Sequence, residues 1–194
     1  MNLTIKGERN QHERMAEDVE LVGAAQRNPL EFEALYRKWL KPVYRYFYFR
    51  VGSVKDAEDL SAQVFLKAYQ DLPRYRNRGA FSAWLFTIAH ARLVDYYRKN
   101  SHKAAREVPI EELEIPVSAA DLPAQAARKD EIEQVFALLR NLNEKEQTFI
   151  RLRFMAELSY KEIGQILHCK EDTARKSVAR LLERMKKQME NDHD

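Results

Sequence analysis

Apolar residues along this chain recur at helical spacing, and no stretch alternates as a half-buried strand would. Periodic segments fill 17–100 and 128–189. Between them, 101–127 holds Pro109, Pro116 and Pro123 and little periodicity. The pattern predicts an all-α protein, two small helical domains joined by a flexible linker. Its boundaries are an N-terminal extension over 1–16, a first domain over 17–100, the linker over 101–127 and a second domain over 128–194.

In the first domain a short helix is expected over 17–26, stopping before Asn28-Pro29. A longer helix follows from residue 30, with Phe32, Leu35, Tyr36, Trp39, Leu40, Val43, Tyr44 and Phe47 on one face. Pro42 predicts a kink or break within it. Gly52 closes the segment, and Ser53 opens the next helix with Asp56 in a capping-box-like position. Ala57, Leu60, Val64, Phe65 and Ala68 point inward there. Residues 73–79 read as a basic loop, and a fourth helix covers 81–99 with Phe81 and Trp84 in the core and Leu85, Ile88, Ala89 and Val94 beyond them. In the second domain Ile132, Val135, Phe136 and Leu139 mark one helix. Asn143 and Glu146 cap the next, which carries Phe149, Ile150, Leu152 and Phe154.

The last two helices are the most informative. Ser159 and Glu162 cap a helix through Ile163, Ile166 and Leu167, His168-Cys169-Lys170 turns, and a second helix starts near Glu171. Gly164 falls where the two helices pass closely. His168 is expected in a left-handed conformation, and Cys169 as a small core residue. Ala174, Val178, Leu181, Leu182 and Met185 form the buried stripe, and Thr173, Arg175, Lys176, Arg180 and Arg184 the opposite face. A major groove admits one helix whose N-terminal half presents donors, and arginine can donate twice to guanine. Thr173 and the helix start suit a phosphate. This is the pattern of a DNA-binding helix-turn-helix.

Composition narrows the alternatives. A net charge of +3 does not by itself argue for a polyanion partner, so the clustering of charge decides. The single cysteine excludes an intramolecular disulfide and a Cys-rich zinc site, and fits a reducing cytoplasm. The histidines lack ligand spacing, so no metal or cofactor is expected. Neither a signal core nor a membrane-length apolar run is present. An enzyme would need paired carboxylates or a nucleophile beside a base. Asp56, Glu58 and Asp59 lie within one helical turn and gain no partner from the pattern, so no catalytic residue is assigned.

Three further segments complete the reading. Asp56-Ala57-Glu58-Asp59-Leu60 places acids at a helix start, a surface suited to a basic partner. Tyr75, Arg76, Asn77, Arg78 and Gly79 combine an aromatic platform, cations and a free backbone, as an unstacked base requires. Ala80-Phe81-Ser82-Ala83-Trp84-Leu85-Phe86-Thr87-Ile88-Ala89, then Asp95 with Arg98, follow. With Phe65-Leu66-Lys67-Ala68-Tyr69, Leu142-Asn143-Glu144-Lys145-Glu146, Leu158 to Ile163 and Thr173-Ala174-Arg175, the ordered series resembles bacterial extracytoplasmic-function sigma factors of the sigma-70 family.

That resemblance implies a non-catalytic polymerase subunit. Region 2 would bind core RNA polymerase through Asp56, Glu58, Asp59 and Gln63. It would recognise and melt the minus-ten promoter element through Tyr75, Arg76, Asn77, Arg78 and Gly79, with His90, Arg92, Tyr96, Arg98 and Lys99 along the duplex. Region 4 would read the minus-thirty-five element through Lys170, Thr173, Arg175, Lys176, Ala179 and Arg180. The acidic stretch Glu107 to Glu114 would thread through the polymerase, and an anti-sigma factor is the expected regulatory partner. Ala62-Gln63 stand where the family often has Gln-Glu, Ala91 where asparagine is frequent, and Lys170-Glu171-Asp172 replace small capping residues. The competing reading is a polymerase-independent helix-turn-helix regulator.

Overall fold

A computed structural model of the chain describes residues 2–76, 80–100, 139 and 141–191, the side chains of 2–12 and 191 excepted. The linker expected over 101–127, the helix expected from Ile132, and Asn77, Arg78 and Gly79 lie outside the described residues. Every described element is helical. The N-terminal unit comprises α1 (Asn2–Arg27), a 3-10 turn (Pro29–Glu31), α2 (Phe32–Val51), α3 (Val54–Asp71), a second 3-10 turn (Leu72–Arg74) and α4 (Phe81–Lys99). The C-terminal unit comprises α5 (Glu144–Ile150), a π-helical turn (Arg151–Met155), α6 (Tyr160–Ile166) and α7 (Glu171–Asn191).

Local chemistry sets most boundaries. The Asn28 side chain accepts from Leu30 N at 3.2 Å, and Pro29 supplies the fixed φ of the turn behind it. Gly52 ends α2 in the left-handed region at φ 66°. Asn143–Glu146 and Ser159–Glu162 both form complete capping boxes. Ser53 accepts from Asp56 N at 3.2 Å, while the Asp56 carboxylate accepts from Tyr96 Oη at 2.9 Å.

Two expectations about helices are corrected. The first helix is not confined to 17–26 but begins at Asn2 and runs through the expected extension. Pro42 does not break α2, which continues from Phe32 to Val51. Trp39, Val43, Tyr46 and Phe47 flank the proline and are buried. Their burial, about 1.5–3 kcal/mol each, outweighs the roughly 3 kcal/mol of a mid-helix proline.

The N-terminal core is aromatic. Phe86 meets Trp39 at 6.1 Å and Tyr46 at 5.6 Å, both edge to face. Trp39 Nε1 donates to Asp18 Oδ1 at 3.1 Å, and Lys38 Nζ approaches the same oxygen at 2.8 Å. This buried network fastens α1 to α2. Burial raises the Asp18 carboxyl above its ordinary value, with Lys38 opposing. Leu152, Leu158, Ile163, Ala174 and Val178 form the second core. Four residues expected on apolar faces are exposed instead: Tyr36 at 38%, Val94 at 53%, Phe154 at 43% and Leu182 at 43%. Leu182 lies one position beyond the buried stripe of Ala174, Val178 and Leu181.

The two units meet where α4 packs on α6 and the end of α2 packs on the π-helical turn. Ser82 Oγ donates to Glu162 Oε1, and Arg50 pairs with Glu144. Arg151 is buried here, and that burial lowers its guanidinium to about 10. Tyr46 Oη and His90 Nδ1 lie 3.1 Å apart. Burial lowers His90 below its ordinary value, Arg151 adds to the effect, and Glu144 opposes it.

The sign of the resulting pH dependence follows. A histidine whose folded value is depressed stays neutral while its unfolded counterpart, at 6.5, takes up a proton. Stability is unaffected above that value and is lost as pH falls below it. The groups acting on His90 are Tyr46, Arg151 and Glu144, from both units. Urea unfolding across this window should therefore show a larger loss of midpoint for the parent than for His90→Gln, which keeps a polar partner for Tyr46 but cannot protonate. Parallel losses would place the titration elsewhere.

Candidate nucleic-acid interface

The C-terminal unit presents α7 across α6. Cys169 N donates to Gly164 O at 2.9 Å, and a Cβ on Gly164 would lie 2.6 Å from Cys169 O. Glycine is required by this close approach. His168 takes the left-handed conformation expected of it, at φ 52°, so the chain reverses within a short turn. Cys169 is half-buried against the core.

Lys170, Thr173, Arg175, Lys176, Ala179 and Arg180 are all exposed, opposite buried Ala174, Val178 and Leu181. Arg175 pairs with Glu171 at 3.0 Å and Lys176 with Asp172 at 2.7 Å. The Lys176 ammonium holds the Asp172 carboxyl below its ordinary value. These are exposed i,i+4 pairs of the weak kind, so a phosphate or base edge can displace them. Arg184 does not join this face; it pairs with Glu146 at 2.8 Å and ties α7 to α5.

A cleft of about 430 Å³ lies where the units meet, lined among others by Arg74, Tyr75, Arg76, Trp84 and Thr87 of the N-terminal unit and by Gln165 of the C-terminal unit. Tyr75 lies 4.6 Å from Trp84 and edge-on to Phe81 at 5.9 Å. Gln26 Nε2 donates to Leu72 O at 2.9 Å and Tyr75 O at 2.8 Å, so α1 holds the loop in place. Burial pushes the Tyr75 phenol up to about 12, with the Asp18 charge adding to it, so the ring is neutral. Aromatic faces flanked by guanidinium groups suit an unstacked base and its phosphate.

The other residues expected at this interface are dispersed. Arg98 and Lys99 are exposed near the end of α4, Arg98 pairing with Asp95 at 3.0 Å, and Arg92 is half-buried. Tyr96 turns to Asp56, and His90 turns to Tyr46 at the junction of the units. His90 and Tyr96 are both half-buried. Trp84 and Thr87, which the sequence reading did not assign to a site, stand beside Tyr75. Their signal was a one-turn spacing directly after a basic aromatic loop.

On α3, Glu58, Asp59 and Gln63 are exposed, while Asp56 is half-buried. The surface continues through Leu66 and Tyr69, 59% and 47% exposed, and reaches Tyr36 on α2 at 38%. An apolar strip bordered by carboxylates fits a protein partner with basic residues around an apolar centre.

Helical units with an exposed basic helix after a tight turn define a helix-turn-helix DNA-binding protein. Comparison with known proteins places it more closely. Sigma-70 region 2 matches residues 35–103, and Sigma-70 region 4 matches residues 132–185. RNA polymerase sigma factor YlaC of Bacillus subtilis is 31% identical over 136 residues, covering 70% of this chain and 78% of that protein. ECF RNA polymerase sigma factor SigD of Mycobacterium bovis is 33% identical over 186 residues, covering 91% of this chain and 84% of that protein. The solved structure of CnrH in complex with the cytosolic domain of CnrY shares the fold with a TM-score of 0.66 at 20% identity, covering 90% of this chain and 98% of that one. The chain belongs to the extracytoplasmic-function sigma factors of the sigma-70 family. It binds core RNA polymerase and directs promoter-specific transcription initiation. No described helix is long and apolar enough to cross a membrane.

The helix crossing yields a direct test. Gly164→Ala must push a methyl against the Cys169 carbonyl, a backbone atom that cannot swing aside. We expect a loss of about 1–3 kcal/mol, typical of overpacking, in urea unfolding, with weaker promoter binding by the holoenzyme. Parent-like stability would show that the crossing angle is not set by this contact.

Proposed function

We propose that three surfaces divide the work of initiation, carried by the Tyr75–Trp84 cleft lying on the same chain as the exposed basic face of α7. The Asp56, Glu58, Asp59 and Gln63 end of α3, with Leu66 and Tyr69, docks core polymerase. The cleft at Arg74, Tyr75, Arg76 and Trp84 receives an unstacked base of the minus-ten element, with Arg92, Arg98 and Lys99 beside the duplex. Lys170, Thr173, Arg175, Lys176, Ala179 and Arg180 read the minus-thirty-five element. On this reading residues 17–100 and 128–194 are the working units and 101–127 the linker. The protein works in the cytoplasm, supplies no catalytic chemistry of its own, and is held in check by an anti-sigma factor.

Polymerase docking is tested by reversing charge. Glu58→Lys with Asp59→Lys should weaken core binding at least about tenfold at moderate salt, because repulsion replaces attraction over a wide face. Equal affinity in a fluorescence titration would remove α3 from the docking surface.

Duplex reading is tested on the holoenzyme with promoters randomised in the minus-thirty-five element. Arg175→Ala should relax preference at one base position by about 1–3 kcal/mol. Lys176→Ala, if it contacts phosphate alone, should weaken all sequences alike and flatten the salt dependence. A parent-like motif from Arg175→Ala would mean that Arg175 does not read a base.

A further inference from the structure

Gln26 stands in the last turn of α1, next to Val22 and Ala25, which bury the helix against the bundle at 5% exposure each. Across from it Leu72, 2% exposed, anchors the 3-10 turn before the basic loop. Between these two fixed points Gln26 Nε2 donates to Leu72 O at 2.9 Å and to Tyr75 O at 2.8 Å. Leu72 O also accepts from Tyr75 N at 3.0 Å, which closes the turn around Pro73. A primary amide has one hydrogen for each of the two carbonyls.

The chain leaves the turn at Tyr75, with φ −65° and ψ 125°. The Tyr75 carbonyl shares a planar peptide unit with the Arg76 N–H, so fixing that oxygen fixes the direction in which the chain departs towards Arg76. The same docking keeps the Tyr75 ring against Trp84 at 4.6 Å and Phe81 at 5.9 Å. Every one of these residues belongs to the N-terminal unit.

We propose that Gln26 is a positioning residue for promoter melting, its amide holding the Tyr75 platform and the path of the chain towards Arg76. This rests on the reading that the cleft receives an unstacked minus-ten base.

Magnitudes separate this role from a structural one. Gln26 is exposed. Water can replace an exposed amide–carbonyl bond at small net cost, and a glutamine gives up rotamer freedom to make one. The two bonds therefore add little to folding stability. What they restrict is the set of orientations open to the turn. Misplacing a reacting group by about 1 Å can cost about a hundredfold in rate, so the order of the platform affects strand capture far more than it affects folding. The contact also requires a donor. A carboxylate of the same shape would meet two carbonyl oxygens with acceptors alone.

The test uses the holoenzyme on a duplex promoter. Gln26→Leu removes the amide, and Gln26→Glu keeps its shape without the donor. Permanganate reactivity of minus-ten thymines, followed in time over a range of holoenzyme concentration, separates closed-complex affinity from the rate of opening. Both variants should slow opening at saturation about tenfold, the factor given by about two neutral hydrogen bonds. Closed-complex affinity, core affinity and the urea midpoint of the free chain should match the parent. The double variant Gln26→Leu with Tyr75→Ala should open no more slowly than Tyr75→Ala, because Gln26 acts through Tyr75. If Tyr75→Ala slows opening and both Gln26 variants match the parent, Gln26 positions nothing and the cleft reading stands. Losses that add in the double variant, or that appear equally in core affinity and the urea midpoint, overturn the positioning role. If Tyr75→Ala itself opens at the parent rate, the cleft reading fails and this role fails with it.

Discussion

A single buried carboxylate, Glu162, joins the local structure of the DNA-reading unit to its placement on the rest of the chain. Helix α6 has seven residues, too few to be stable by propensity. It survives because Glu162 Oε2 accepts from Ser159 N at 2.7 Å and Ser159 Oγ at 2.6 Å, while Gly164 admits the following turn. The other oxygen accepts from Ser82 in α4. A buried carboxylate with fewer partners would be costly.

The same economy governs the surface charges. A net charge of +3 is small for a protein that touches two stretches of DNA. Acids one turn away hold several of the cations proposed to face DNA: Glu171 for Arg175, Asp172 for Lys176 and Asp95 for Arg98. Each such pair contributes only about 0.3–0.5 kcal/mol on a helix surface, so a correctly placed acceptor exchanges for it readily. The acids meanwhile reduce the potential felt by arbitrary phosphate backbones, which is the sequence-independent part of DNA affinity. Discrimination then rests more on donor geometry than on bulk charge.

Features decided within a few residues were legible in the sequence. Both complete capping boxes, the Gly52 stop, the left-handed His168 and the close approach at Gly164 follow from neighbouring residue types. Features decided by tertiary packing were not. The polar residues ahead of position 17 carry no apolar stripe, yet their helix is extended by contacts such as Arg14 over Trp39. Pro42 signals a break, but the buried aromatics around it carry the helix through. Periodicity assigned Leu182 to the core, yet the buried stripe of Ala174, Val178 and Leu181 stops one position short of it. The sequence also does not show that the fold brings Tyr46 to His90 and Asp56 to Tyr96. Trp84 shows the reverse error: a residue type that usually fills a core here lines a cleft.

If the cleft receives a minus-ten base as proposed, its order bears on how melting is driven. Tyr75 is held edge-on by Phe81, its carbonyl accepts from Gln26, and its phenol is neutral. A base entering beside Trp84 meets a platform already ordered, so little side-chain entropy is lost on binding. Removing a base from a duplex costs a few kcal/mol, and one stacking platform returns about 1–3 kcal/mol. Stacking here therefore offsets much of the unstacking cost at one position without exceeding it by much. The cleft is suited to trapping a strand that polymerase has begun to separate. Opening intact duplex unaided would require several such platforms acting together, and the described residues provide this one.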